Sequence, residues 1–293
     1  MFYFQLFTHK HARRAFYIVI IMKQNLSCKI IIASHKICKV PSDALYLPLL
    51  VGSALQKEQN IPKNWKKDNT GDNISTLNPY FCELTGLFWA WKNLNFDYIG
   101  LVHYRRFFSF KKNKKDYLNS VLAKVDLDQY LGKIKVFVPN KRRYFIETLY
   151  NQYSHNHYHS HLDVTRTIIS DKYPEYLSNF DEVMNRRWGY MFNMMIMDKS
   201  LLNNYCNWLF DILFELQNRI SPDGLSPFQA RFYGRVSERI FNVWLKHQLD
   251  TGKLDKSQIK EIPCVHIEKV KWINKISVFL KAKFLGIKPK HSL

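Results

Sequence analysis

The chain is expected to fold as an α/β domain in which a mainly parallel sheet is flanked by helices. Short β-branched or apolar runs alternate with longer segments of helical spacing, the runs end abruptly in polar residues, and no internal repeat or long linker separates them. "KIIIASH" (29–35) is the first run, a buried parallel strand closing in small and polar residues. "ALYLPLLVGSALQK" then leads into "NIPKNWKKDNTGDNISTLNPY", whose Asn, Asp, Gly and Pro density marks a loop of several turns. In "YFCELTGLFWAWKNL", Phe81, Leu84, Phe88 and Trp91 fall on one face of a helix. "DYIGLVHY" is the second strand, and "KIKVFVP" (133–139), stopped by Pro139, is the third. "GYMFNMMIM" (189–197) is the fourth. A basic helical excursion from Lys114 to Lys133 precedes the third strand, and a helical region rich in Tyr and His covers 146–186. Residues 200–220 and 237–249 read as amphipathic helices.

Composition narrows the partners. Lys and Arg number 44 against 24 Asp and Glu, a net charge of +20, which favours nucleic acid, anionic lipid or a phosphorylated substrate. The five cysteines show no metal-ligand spacing and read as reduced thiols. Residues 1–21 carry two short apolar runs split by basic residues, an upstream extension or a membrane-surface segment. The main domain is expected over 22–268. In the tail, 269–293, Trp272, Ile276, Phe279 and Leu280 alternate with lysines as on a helix lying on an anionic membrane.

Ligands of parallel sheets bind beyond the carboxyl ends of the strands. His35 and the His103-Tyr104-Arg105-Arg106 tetrad are expected at that edge. Arginine is permanently charged and its planar fork grips phosphate oxygens, so two at a strand end could neutralise a departing diphosphate. Strand alternation would put His103 and Arg105 on one side, Tyr104 and Arg106 on the other. "DNTGDNIS" (68–75) makes tight turns whose Asp72 and Asn73 could reach a ribose or base. Glu83, in line with Gly86 and Ala90, sets a carboxylate at the mouth of a small-residue strip. Glu238 reads as standing at a helix start between Arg235 and Arg239, a candidate general base.

Two other patterns read as structural. Asp126-Leu127-Asp128 matches the DxD that holds a divalent ion in many sugar-nucleotide enzymes, but in its basic helical context Asp128 is better read as a helix cap. His155, His157, His159 and His161 are spaced by two, which spreads them around a helix instead of gathering them for zinc. Phosphate-loop, HExxH and GxSxG motifs are absent.

The blocks "DNTGDNIS", "NPYFCELTGLFWAWKN", "DYIGLVHYRR", "GYMFNMMIM" and "SERIFNVWL", in this order, resemble the bacterial domain-of-unknown-function family 4422 across residues 28–250. Its members occur among capsule, exopolysaccharide and lipopolysaccharide biosynthesis proteins and are regarded as glycosyltransferases, some as galactofuranosyltransferases. The resemblance implies a GT-A-like fold and a UDP-sugar donor, with the 103–106 tetrad standing where a metal-binding DxD would follow a central strand. A divalent metal is not favoured. On this reading Ser34, His35, Asp72 and Asn73 lie near the nucleotide, and His103, Arg105 and Arg106 at the diphosphate. Glu83 and Asn193 contact sugar hydroxyls, and Glu238 is the base. The expected acceptor is a lipid-linked saccharide, met by a cytoplasmic enzyme at the inner face of the plasma membrane. A sugar-phosphate transferase is the neighbouring alternative. A nucleic-acid binder is the distant one, since no recognised binding module is present.

Overall fold

The computed structural model describes residues 26–57, 60–111 and 118–267. The extension 1–21, the basic tail 269–293 and the first part of the basic excursion lie outside them. Eleven strands are described: β1 (Cys28–Ser34), β2 (Tyr46–Leu50), β3 (Lys66–Lys67), β4 (Tyr98–His103), β5 (Arg106–Phe108), β6 (Val136–Pro139), β7 (Arg142–Arg143), β8 (Trp188–Gly189), β9 (Met195–Asp198), β10 (Ile259–Ile262) and β11 (Cys264–His266). The α-helices are α1 (Asn78–Phe81), α2 (Leu84–Asn93), α3 (Lys124–Asp128), α4 (Leu149–Asn156), α5 (Ser160–Lys172), α6 (Leu177–Met184), α7 (Lys199–Arg219) and α8 (Phe232–Asp250).

The main sheet runs β10-β6-β9-β4-β1-β2-β3. Only β9 on this path is reversed, being antiparallel to both β4 and β6, so the expectation of a mainly parallel sheet holds. β1 lies in its middle because it can be buried on both faces: Ile30, Ile31 and Ile32 are fully buried. Alternation divides them. Ile31 and Ala33 enter the larger core, built with α1, α2 and α4–α8, while Ile30 and Ile32 enter a second core closed by Phe107, Phe137 and Leu127 of α3.

Several expected boundaries move. Residues 78–93 form two helices, because Cys82 takes a left-handed φ of 56° and breaks the ladder. The strand expected over 189–197 is split: Gly189 ends β8, β9 begins only at Met195, and the residues between turn through positive φ at Phe192 and Asn193. α8 starts at Phe232, five residues earlier than its periodicity suggested, which removes Glu238 from the helix start. Of the excursion expected to be helical, the described part holds only a 3-10 turn and α3. β2 was hidden by Pro48, which is tolerated because β3 pairs only with Leu49 and Leu50. Among the described residues no helix is long and apolar enough to cross a membrane.

Candidate active site

β4 runs into β5 through a two-residue turn, and His103 pairs with Arg106 across it. The expected alternation therefore fails: Tyr104 and Arg105 form the turn, while His103 and Arg106 are cross-strand partners, which share a face. The two guanidiniums diverge. Arg106 is partly buried with its Cζ 4.3 Å from the Phe192 ring centroid. Arg105 is exposed, its Cζ 4.9 Å from the Tyr104 ring. Burial lowers the pKa of Arg106 from its usual value, opposed by the nearby carboxylates Glu238 and Glu83.

Three segments meet at His103. Its Nε2 lies 2.5 Å from the Phe192 carbonyl oxygen; because a carbonyl only accepts, that nitrogen carries the proton. The same Nε2 is 3.9 Å from Glu83 Oε1. Asn193 Nδ2 donates to Glu83 Oε1 at 2.7 Å and to the Gly234 carbonyl at 2.9 Å. Asn193 Oδ1 accepts from Ser237 Oγ at 2.8 Å. The entry to α2, the 192–193 turn and the first turns of α8 are thus locked together around one carboxylate. Glu238, one residue beyond Ser237, accepts at Oε2 from Arg239 Nη1 at 2.8 Å.

Backbone strain is concentrated in the same place. Among the described residues, the non-glycine positions with positive φ are Cys82, Phe192 and Asn193. Such conformations cost on the order of 1–3 kcal/mol each and persist where surrounding contacts impose them, most often at functional sites.

Two further cations border the site: Arg231, which the sequence reading passed over, and Arg235, which it noted only as a neighbour of Glu238. Arg231 Nε donates to Cys82 Sγ at 2.9 Å. Arg235 is partly buried, its Cζ 4.1 Å from the Phe228 ring. They sit four residues apart, the i,i+4 signal of a shared helical face, which was invisible while α8 was started at Ser237. Burial pushes the Cys82 thiol up to about 11, so it stays protonated at neutral pH. Tyr104 Oη, Arg106 Nε and Arg235 Nη1 are buried polar atoms without a hydrogen-bond partner among the described residues, the condition expected of groups that serve a ligand.

Other expected residues take different places. Ser34 is buried, and its hydroxyl donates to the Lys36 carbonyl at 2.5 Å, so it shapes the loop after β1 instead of facing a nucleotide. His35 is exposed at the sheet edge, edge-on to Tyr104 at 5.2 Å; burial, then Lys36, Arg105 and Arg231, lower its pKa and favour the neutral ring. Asn193 is buried, and its side-chain amide is taken up by Glu83, Gly234 and Ser237. Asp72 and Asn73 belong to a turn fastened to Asn93, at the far end of α2 from Glu83, a helix about 15 Å long. The structural carboxylate of that block is Asp68, fully buried, which accepts from Gly52 N, Ser53 N, Ser75 Oγ and Thr85 Oγ1. Beyond the ends of β2 and β3 a cleft of about 230 Å³ is lined by Leu50, Ser53, Gln56, Lys67 and Asn69, and Gln56 Nε2 donates to the His35 carbonyl at 3.4 Å.

Asp128 ends α3 instead of capping its start, and it pairs with Lys124 at 2.6 Å. Asp126 accepts from Ala123 N at 3.1 Å. The histidines do not share one helix: His155 lies on α4, His161 on α5 and the other two between them. They turn to separate partners, His155 to Glu147, His157 to Gln229, His159 to Asp163 and His161 to Tyr153. Among the described residues no three His, Cys, Asp or Glu side chains gather as a metal-binding group.

A layered α/β sheet with a charged site beyond its parallel strand ends defines a GT-A-like protein. The chain is similar to the apo structure of WbbM, described as a bifunctional glycosyltransferase, with a TM-score of 0.76 and 28% identity over 83% of this chain and 46% of that one. The chain thus spans less than half the length of WbbM. No match was found among curated proteins. The family model "Domain of unknown function (DUF4422)" matches residues 29–249, and the chain belongs to that family.

Proposed function

We propose that the protein is a glycosyltransferase that moves a hexose from a UDP-sugar to a lipid-linked saccharide in capsular, exo- or lipopolysaccharide assembly, with galactofuranose as one candidate sugar. The observation that carries this reading is the convergence of Arg106, His103, Glu83 and Glu238 around a strained, cross-linked backbone at the sheet edge. The likeness to a described glycosyltransferase supports it.

In this reading Arg106, with Arg231 just before α8 and Arg235 in its first turn, supplies fixed positive charge to the departing diphosphate. A site that excludes water strengthens that attraction and needs no reorganisation as the bond breaks. His103 commits its Nε2 proton to the Phe192 carbonyl and so fixes the turn whose ring covers Arg106. The cleft at Lys67 and Asn69 takes the nucleoside end, the part first assigned to Asp72 and Asn73. Both carboxylates could remove the acceptor's proton. Glu83 is held by a neutral amide and keeps Oε2 uncommitted, whereas Glu238 is tied to Arg239. This favours Glu83 as the base and leaves Glu238 to balance Arg106 and meet the sugar.

A screen of UDP release over several UDP-sugars, with and without EDTA, tests the reading. One donor should release UDP in an acceptor-dependent way, and Glu83→Gln should lower that rate by about 10²-fold or more, the usual weight of general base catalysis. Release of UMP with phosphate left on the acceptor would identify a sugar-phosphate transferase instead. Loss of activity in EDTA would overturn the assignment of diphosphate neutralisation to arginine alone.

A further inference from the structure

Away from the site, the short β7–β8 sheet carries an unusual tip. Phe145 is 83% exposed and Ile146 64%, the one adjacent pair among the exposed large hydrophobics of the described residues. The tip is held on both sides: Tyr144 N donates to the Arg187 carbonyl at 2.7 Å, and Leu149 N to the Arg186 carbonyl at 2.8 Å. Arg187 Nη1 also donates to the Phe145 carbonyl at 3.4 Å.

The surroundings are cationic. Arg142, Arg143 and Arg187 are exposed, and among the described residues none of them forms an ion pair. The acidic residue of this segment, Glu147, is buried and engaged by His155 at 2.7 Å, so it does not offset them at the surface. Two apolar side chains projecting from an arginine rim match a bilayer with anionic headgroups, where the apolar pair enters the interface and the guanidiniums meet phosphate. A protein partner would call for a broader apolar face. The patch also adjoins the site: Arg142 Cζ lies 6.0 Å from the ring of Phe192, the residue that covers Arg106.

We infer that the 142–146 tip, with Arg187, is a membrane-docking element that inserts Phe145 and Ile146 into an anionic bilayer and sets the mouth of the site against the lipid surface. Vesicle binding needs neither donor nor acceptor, so this inference stands or falls separately from the reaction proposed above.

The test uses the full chain with phosphatidylcholine vesicles, with and without phosphatidylglycerol. Sedimentation should show binding that requires the anionic lipid, and hydrogen exchange should show new protection over residues 142–147. Phe145→Ser with Ile146→Ser should weaken binding by about tenfold or more, on the scale of two apolar side chains withdrawn from the interface. Arg142→Gln should weaken it by about fivefold, the contribution of one basic residue near an anionic surface. Circular dichroism of the double variant should match the parent, because neither side chain packs in the core. Binding without protection at 142–147 would assign attachment to another segment and overturn the inference. So would equal binding to neutral vesicles, or none to either.

Discussion

At the scale of the residue, the two adjacent arginines are chemically identical and physically different. Arg106 is drawn inward by pairing with His103 and by the Phe192 ring, while the turn throws Arg105 toward solvent. Arg106→Ala should therefore lower kcat/KM by about 10²-fold or more, the effect of removing a charge that meets the transition state. Arg105→Ala should stay within about tenfold. Initial rates of UDP release decide the ranking, and the reverse order would remove Arg106 from the diphosphate. Asp68 supports the site from behind. Its carboxylate accepts four donors from the β2 loop, Ser75 and the first turn of α2, so Asp68→Ala leaves several buried donors unmatched. A loss of about 3 kcal/mol or more is expected in urea unfolding. A loss under 1 kcal/mol, on the scale of a surface change, would show that the loop relaxes freely.

At the scale of the element, the break between α1 and α2 matters more than the helices themselves. An unbroken helix would carry Glu83 around its axis; the turn at Cys82 aims it at His103 instead. Nothing in the residue type announces this, since cysteine has no preference for left-handed backbone. The central strand shows a different constraint. A Cβ at Gly100 would come within 2.8 Å of Ile196 Cγ1 and 3.0 Å of the Met195 carbonyl oxygen, so β9 leaves no room for a side chain on β4 there. Gly100→Ala should cost about 1–3 kcal/mol by overpacking. Thermal unfolding would reveal it, and an unchanged Tm would mean that β9 shifts without cost.

At the scale of the whole molecule, buried histidines tie stability to pH. His157 is buried with Nδ1 2.8 Å from Gln229 Oε1, and burial, followed by Arg235, pushes its pKa down to about 2. The unfolded chain binds that proton near pH 6.5, so between about 6.5 and 2 the unfolded state holds more protons than the folded one. Stability from the neutral ring is complete above that range and falls as pH drops, by about 1.4 kcal/mol per pH unit for this one group. His247, also lowered by burial, acts in the same direction. His157→Gln should reduce the slope of unfolding free energy between pH 6 and 4 by about one proton. An unchanged slope would mean that the folded protein admits the charge.

The mainly parallel sheet was legible in the sequence because a continuous β-branched run such as Ile30 to Ile32 marks a strand buried on both faces. The division of its side chains between two cores appears only in the fold. Candidate groups could be named from the sequence for a local reason too, since "HYRR" ends an apolar run and Glu238 stands between Arg235 and Arg239. What the sequence could not determine was which groups meet. Glu83 finds Asn193 across 110 positions, and Ser237 finds Asn193 across 44, through backbone turns that only the packed fold makes tolerable. Short-range pattern encodes what a segment is. Long-range closure, which depends on every intervening element, decided where its charges point.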